Sequence, residues 1–582
     1  MRSTIGQYGR QAWRARAVLA VALSFAALAP AIAQDVPETP AAREADTSED
    51  VFVEAVDVTV VNVQTFVTDK DGRPVTGLSR DDFDLFEDGR PVDITNFYAV
   101  ESGRRRPPPT AAPASPDAGQ PTVSAVSQLT DPDDRLRLVI LVDNVNIEAV
   151  HRNRVFREIR QFLLEELDSD DEVMLVSYER SLKVKQPFTS DVHLVSRTLF
   201  ELEELSTNSS QARNERFELI RHLEESEEPG RVSRYIRNYA QSVQNDLSVT
   251  LRAMTELVRS LAGIPGRKAL LYVSDGLPRS PGEDFYVALT HKYPRSSTLI
   301  EAQEFDASKR FRELGHLASS NRVAFYTLDA AGLRLSAAAD VERSGATAGM
   351  VSALDAAYTN NVQTPLRYLA TLTGGEAIIN TNNPLPGLVR LAADSNNYYS
   401  LGYMPSHVSD GRYYRIEVRI KEKDKARGLT VRHREGYRDK PVSNRMSEAL
   451  LSTLRWNYEN NPLGIRLHFD PSSALESGER LVPLRVEIPL DRVILVPRGE
   501  LHEGRVSLYI AVADESGRTA PVQHVPVVIS IPSAEIDEAL KRSFHYKVPL
   551  RMRTGRQRVA IGVRDDLGAA EAFVVDSVSV TG

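Results

Sequence analysis

The chain contains no cysteine among its 582 residues. Nothing in it depends on a disulfide, and a lipid-anchoring cysteine behind a leader is excluded. Long apolar runs are as scarce. Apart from Ala17 to Ala29, no stretch approaches the roughly 20 apolar residues needed to span a bilayer. A clustered basic excess is also missing: 71 Lys and Arg stand against 80 Asp and Glu, a net charge of -9, and the basic residues are dispersed. A nucleic-acid surface needs the opposite, so that class is excluded. Catalytic signatures are absent too. The 11 histidines show neither His-Glu-x-x-His nor paired zinc spacing, and no Gly-x-Ser-x-Gly occurs. Gly263-Ile264-Pro265-Gly266-Arg267-Lys268 has its glycines too close together for a phosphate loop and precedes a strand instead of following one. Tyr398-Tyr399 and Tyr413-Tyr414 read as packing within strands. No catalytic residue is assigned, and the chain reads as a non-enzyme.

What is present begins with a basic start (Arg2, Arg10, Arg14 and Arg16), a short apolar core, and the small residues Ala31-Ile32-Ala33. These three features make a secretory signal peptide over 1–33, with a mature start near Gln34. The alternative is an uncleaved anchor. The signal predicts export to the periplasm or the extracellular space and no membrane span after cleavage.

About 550 mature residues are too many for one core and suggest about three domains. Residues 34–50 are rich in Pro, Ala, Glu and Asp and read as a loose leader. Residues 51–101 alternate (Val56, Val58 and Val60 on one face), with turn signals at Asp69-Lys70-Asp71-Gly72 and Glu87-Asp88-Gly89, and read as a small β domain. Residues 102–130, with Arg104-Arg105-Arg106 and several prolines, read as a linker or exposed loop. Residues 131–440 change character. Leu136 to Val142, Val173 to Ser177, Lys268 to Ser274 and Val323 to Leu328 are short, near-continuous apolar runs, the mark of strands buried on both faces. Val155, Ile159, Phe162, Leu163 and Leu167, and then Arg231 to Leu261, repeat at helical spacing. Strands alternating with helices predict a doubly wound, mostly parallel α/β domain. Later strands are expected at Ala377 to Asn380 and Tyr398 to Tyr403, and a hairpin over Arg412 to Gly436 closes this domain. In 441–582 a helix over Ser443 to Asn460 leads into period-two runs, such as Val506, Leu508, Ile510 and Val512, that predict a C-terminal β-sandwich.

Open parallel sheets bind ligands beyond the carboxyl ends of their strands. Two predicted strands end there in acids, Asp143 and Asp275. Leu138 to Asp143, and Arg267-Lys268-Ala269-Leu270-Leu271-Tyr272-Val273-Ser274-Asp275-Gly276, resemble the first and fourth strands of von Willebrand factor A (VWA) domains. Val67 to Val75 with Leu78 and Asp82-Phe83, then Tyr399-Ser400-Leu401-Gly402-Tyr403 and Gly436-Tyr437, resemble the flanking segments of a secreted bacterial subfamily, VWFA-related, acidobacterial type. The resemblance spans about Val51 to Tyr437.

It implies a metal-ion-dependent adhesion site, in which an Asp-x-Ser-x-Ser loop, a Thr and a second Asp hold a divalent cation that a partner's carboxylate completes. The sequence departs from that pattern. Its loop is Asp143-Asn144-Val145-Asn146-Ile147, and Val145 and Ile147 carry no ligating atoms. The site is therefore read as degenerate: Asp143, Asn146 and Asp275 are the candidate ligands for a weak Mg²⁺ or Ca²⁺. Asp143, Asn144, Asn146, Thr207 and Asp275 are the candidate partner-binding residues. The competing reading of the two acids is purely structural: Asp143 is expected to cap the following helix, and Asp275-Gly276 to make a tight turn. The resemblance implies an exported protein-binding or scaffolding module with protein partners. The alternatives are a structural component of an envelope or extracellular assembly with an inert central site, and an unrecognised envelope hydrolase.

Overall fold

A computed structural model describes residues 60–101, 104–106, 135–207, 209–294, 299–334, 348–422 and 426–581. The predicted signal, the leader and most of the predicted linker lie outside these residues. From Ala55 onward the chain forms one unit.

The first strands are β1 (Val61–Thr68), β2 (Phe83–Glu87), β3 (Arg90–Val92), β4 (Asn96–Glu101) and β5 (Arg104–Arg106). The arginine run, read from sequence as the start of a linker, is thus an edge strand: Val100 pairs with Arg105 and Glu101 with Arg104.

Next comes the central sheet, from β6 (Leu136–Asp143), β7 (Glu172–Tyr178), β8 (Leu182–Thr189), β9 (Arg267–Ser274), β10 (Val323–Asp329) and β11 (Ala377–Ile378). Its spatial order is β11-β10-β9-β6-β7-β8, parallel throughout except for the edge strand β8. All eight residues of β6 are buried, and they divide between two cores. Leu138, Ile140 and Val142 meet Val155, Phe156, Ile159 and Phe162 of α1 (Ala149–Glu165) on one face. Val139 and Leu141 meet Leu251, Met254, Leu257 and Val258 on the other. Those four lie on α4 (Pro229–Ser260), which follows α2 (Val192–Glu203) and α3 (Ser209–Glu225). The period-two geometry of a strand sends alternate side chains to opposite faces, so a strand covered on both sides must be apolar throughout. The same second core takes Phe311 and Leu314 from the helix Ser308–Ser320, and Leu366 and Leu369 from the helix Ala348–Thr373.

The strands β12 (Tyr398–Tyr403), β13 (Tyr413–Ile420), β14 (Thr430–His433) and β15 (Gly436–Arg438) do not close the central sheet. They return to the N-terminal strands and build two sheets with them, β14-β1-β12-β4-β5 and β15-β13-β2-β3. The expected 412–436 hairpin is split between the two, with β14 on β1 and β13 on β2. One core explains the sharing: Val61, Val63 and Leu401 from the first sheet face Phe83, Leu85, Ile416 and Val418 from the second. Neither segment covers this apolar surface alone. We call the joint structure the β module.

The helix Val442–Trp456 leads into the C-terminal strands. Two sheets share a core there, Val482, Leu484, Val486 and Ile488 facing Val506, Leu508, Ile510, Val559, Ile561 and Val563. Met446, Leu450 and Leu454 of the helix cover the outer face of the second sheet, over Tyr509, Ala511 and Ala560. This explains why the run through Val506 loses its polar alternation.

Candidate functional site

At the carboxyl edge, β6, β9 and β10 each finish in an acid: Asp143, Asp275 just past Ser274, and Asp329. Asp143 is completely buried. Its Oδ1 accepts the backbone N–H of Val145 at 3.1 Å and of Asn146 at 3.0 Å. Its Oδ2 accepts the Asn146 Nδ2 amide at 2.9 Å and the Tyr272 hydroxyl at 2.5 Å. A carboxylate offers about four acceptor positions, and all four are filled by the chain itself. The loop is held down by Val145 and Ile147. Ile147 is buried in the core under α1, and Val145 packs on the core of the opposite face.

Asp275, not Asp143, caps α1. Its Oδ2 accepts the N–H of Glu148, the residue before the helix, at 2.8 Å, and pairs with His151 Nδ1 at 2.9 Å. A carboxylate at a helix N-terminus satisfies an orphan N–H and complements the helix dipole. The Asp275 N–H donates to the Asn146 carbonyl at 2.8 Å, which ties the two acidic loops together. Gly276 has φ +102°, and a Cβ there would lie 2.8 Å from the Val362 carbonyl. The turn therefore requires glycine. Asp329 accepts Arg334 at 2.9 Å and Gln363 at 2.8 Å, and Arg334 also donates to the Asp275 carbonyl at 2.6 Å.

Burial pushes the Asp143 carboxyl above the usual range against the pull of its four donors, and burial likewise raises Asp329. Burial next to Asp143 lifts Tyr272 well above an ordinary phenol. The hydrogen bond to Asp275 raises His151. Tyr272 is thus a neutral donor, and His151 is biased toward its charged form.

A hard divalent cation requires about six oxygens, and these residues do not fit it. Asp143 has no acceptor position left, Asn146 turns its amide nitrogen inward, and Asp275 keeps a single buried oxygen, Oδ1, without a hydrogen-bond partner. Elsewhere among the described residues, His407, Asp410 and Asp439 bring one ligand atom each within 4.8 Å of one another on the β module. That group is already engaged: His407 Nδ1 meets Asp439 at 2.8 Å, and the Tyr414 hydroxyl donates to Asp410 at 2.6 Å.

Of the predicted residues, Asp143, Asn146 and Asp275 come together through Asn146. Asn144 is buried beside them, with its Oδ1 accepting Arg152 at 3.0 Å. Thr207 sits half-buried between α2 and α3. Arg152 spans from Asn144 to that loop, donating also to the carbonyls of Glu203 at 2.8 Å and Leu205 at 2.9 Å. Arg152, His151, Tyr272, Asp329 and Arg334 escaped the sequence reading. The signal for Asp329 was available, since it ends an apolar strand run as Asp143 does.

No family model matches this chain, and no curated protein does. Solved structures do show likeness. An aerotolerance-related membrane protein from Bacteroides fragilis is 13% identical with a TM-score of 0.23, covering 45% of this chain and 98% of its own. BatB from Bacteroides thetaiotaomicron is 13% identical with a TM-score of 0.22, covering 45% and 98%. The vWF domain of the type V pili tip protein Mfa5 from Porphyromonas gingivalis is 10% identical with a TM-score of 0.23, covering 44% and 94%. At these scores the likenesses establish no family for the chain.

Proposed function

We propose that this protein is an exported, non-catalytic binding or scaffolding module. In this reading its central domain is VWA-like and doubly wound, its adhesion site is degenerate, and it recognises a protein partner through the carboxyl edge of β6, β9 and β10 without a metal ion. The observation that carries the reading is the state of Asp143, whose carboxylate is used up as a loop fastener. What the edge offers instead is an apolar and charged surface. Val150 is 69% exposed on the first turn of α1, next to His151, and Leu333 is 54% exposed next to Arg334. Both neighbours are bonded to Asp275. Apolar anchors beside oriented charges are what a protein interface uses.

The test is capture from the exported fraction by wild type, by a Val150→Asp, Leu333→Asp double variant, and by wild type in EDTA. The expected result is a partner retained in EDTA and lost in the double variant. Capture abolished by EDTA contradicts a metal-free edge. Capture untouched by the double variant, with both proteins folded, moves the contact to the β module or the C-terminal strands and favours a structural component with an inert central site.

A further inference from the structure

His407 and Asp410 lie in the loop that carries the chain from β12, in one sheet of the β module, to β13, in the other. Asp439 directly follows β15. Backbone bonds fasten the loop to that strand end: the Gly411 N–H donates to the Asp439 carbonyl at 2.7 Å, and the Asp439 N–H to the Arg412 carbonyl at 2.9 Å. The fastening brings together three side chains of metal-ligand type, with one donor atom of each within 4.8 Å of the other two. Donors that share an ion at about 2.0–2.1 Å stand at most about 4 Å apart, so closing this group on an ion takes a side-chain adjustment of about 1 Å.

The imidazole sits between two buried carboxylates. His407 Nδ1 lies 2.8 Å from Asp439 Oδ2, and Nε2 lies 3.3 Å from Glu87 Oε1. A neutral imidazole has one N–H and one lone pair, so it can donate to only one of these acids. Glu87 is fixed in place, since its Oε1 also accepts the hydroxyls of Tyr403 at 2.6 Å and Tyr437 at 3.0 Å. The His407 ring is fixed too, stacked 3.6 Å from the Tyr414 ring. With the Nε2 proton given to Glu87, the Nδ1 lone pair faces a carboxylate oxygen. Two acceptors in that contact need a positive charge between them, either a second proton or a metal cation. Histidines that ligate metals usually donate their other ring N–H to an acid, which sets the tautomer and aims the free nitrogen. Glu87 and His407 stand in that relation.

The hydrogen bonds already made leave room for an ion. A carboxylate has about four acceptor positions. Among the described residues, the Asp439 carboxylate meets His407 alone, and Asp410 accepts the Arg412 N–H at 2.9 Å and the Tyr414 hydroxyl at 2.6 Å. Asp143, with its four positions filled, is the opposite case.

We propose that His407 Nδ1, Asp410 and Asp439 form a binding site for a divalent transition-metal ion of the Zn²⁺ class, with Glu87 orienting the imidazole. One nitrogen and two carboxylates suit a borderline ion, whereas Mg²⁺ and Ca²⁺ prefer oxygen alone. The ion takes the place of the proton on Nδ1, which leaves to solvent. Asp410 is exposed, so the remaining coordination position opens to water, as in zinc sites with three protein ligands. The bound ion fastens the loop that crosses between the two sheets to the end of β15. The site belongs to the β module and not to the proposed partner-binding edge.

Isothermal titration with ZnCl₂ tests this, on the full chain purified without a histidine tag, stripped with EDTA and dialysed. Saturable binding of one Zn²⁺ per chain at micromolar concentration is expected, unchanged by millimolar Mg²⁺. Asp410→Ala removes an exposed ligand and keeps the fold; it should weaken Zn²⁺ by about tenfold or more, at least the loss seen when a supporting group of a metal site is removed. His407→Gln, checked by circular dichroism, is expected to lose more. Absence of saturation by Zn²⁺ below millimolar concentration overturns the proposal. So does unchanged affinity in Asp410→Ala or in folded His407→Gln, which places the ion on other side chains, or displacement of Zn²⁺ by millimolar Mg²⁺.

Discussion

Removing one oxygen atom from Tyr272 separates a fastened Asp143 loop from a working metal site. In Tyr272→Phe the ring still packs in the core, while Asp143 Oδ2 loses its 2.5 Å donor and keeps Asn146. No orphan donor is created, because phenylalanine carries none. A hydrogen bond to a charged group is worth about 1.5–3 kcal/mol net. For a folding unit of 150–250 residues each kcal/mol moves Tm by about 2–4 °C, so the expected loss is about 3–12 °C. The loss also has a pH signature. Asp143 has a folded pKa above its unfolded one, so its proton contributes stability that is present at acid pH and fades as pH rises through the folded value. Tyr272 is the largest of the hydrogen bonds that restrain that rise. The variant is therefore closest to wild type in acid and falls further behind toward neutrality. Unfolding of the full chain followed by circular dichroism at several pH values measures both effects. A Tm change below about 1 °C at neutral pH, or a deficit that does not grow with pH, refutes the reasoning.

Wild-type Tm should differ by less than about 2 °C between EDTA and a few millimolar Mg²⁺, since even a site half-filled at that concentration adds only about 0.4 kcal/mol; a gain of many degrees restores the metal-binding reading. Gly276→Ala places a Cβ 2.8 Å from the Val362 carbonyl on a backbone with φ +102°, and strain plus overpacking should cost about 2–6 kcal/mol of unfolding free energy, measured by denaturant titration. A near-neutral result there means the turn relaxes. His407 stacks on Tyr414, and although burial opposes its charge, Asp439 and Glu87 raise its pKa above 6.5. Its contribution to stability is whole below that value and lost as pH rises through the raised one. The Tm gap between wild type and His407→Gln should therefore narrow from about pH 6 to about pH 9, and a constant gap contradicts the ion pairs.

The parts of the fold that could be read from sequence are those whose signal is local. Leu136 to Val142 announces a strand covered on both faces, and Val155, Ile159 and Phe162 announce one helical stripe; both stand where expected. Pairing partners left no such trace. Tyr398 to Tyr403 reads as a strand, yet nothing in those six residues says that their neighbours are β1 and β4 and not β11. The hairpin at 412–436 misleads for the same reason, because a charged turn between two runs looks alike whether the runs pair with each other or part company. At the site, the two strand-end acids and the apolar Val145 and Ile147 between them were visible. The use made of Asp143 was not, because Tyr272 lies 129 positions away and sits in an apolar strand where its ring alone accounts for it. Buried Arg152 was hidden likewise, as an arginine on a helix normally faces water.

The shared core of the β module sets a timetable for the chain. Arg434 reaches the Asn62 carbonyl across 372 positions, and among the described residues β1, beyond its bridge from Thr68 to Pro74, pairs with strands only once β12 and β14 have been made. At about 5–20 residues per second, that interval is roughly 20–70 s of synthesis. Until then the valines of β1 and the phenylalanine and leucine of β2 lack the Leu401, Ile416 and Val418 side of their core, whereas the last strand of the central sheet ends at residue 378. The pairing of β1 is therefore completed after the strands of the central sheet have been made. The delay leaves the edges of β1 and β2 without their final neighbours until residue 433 arrives, and unpaired strand edges are where chains pair wrongly with one another.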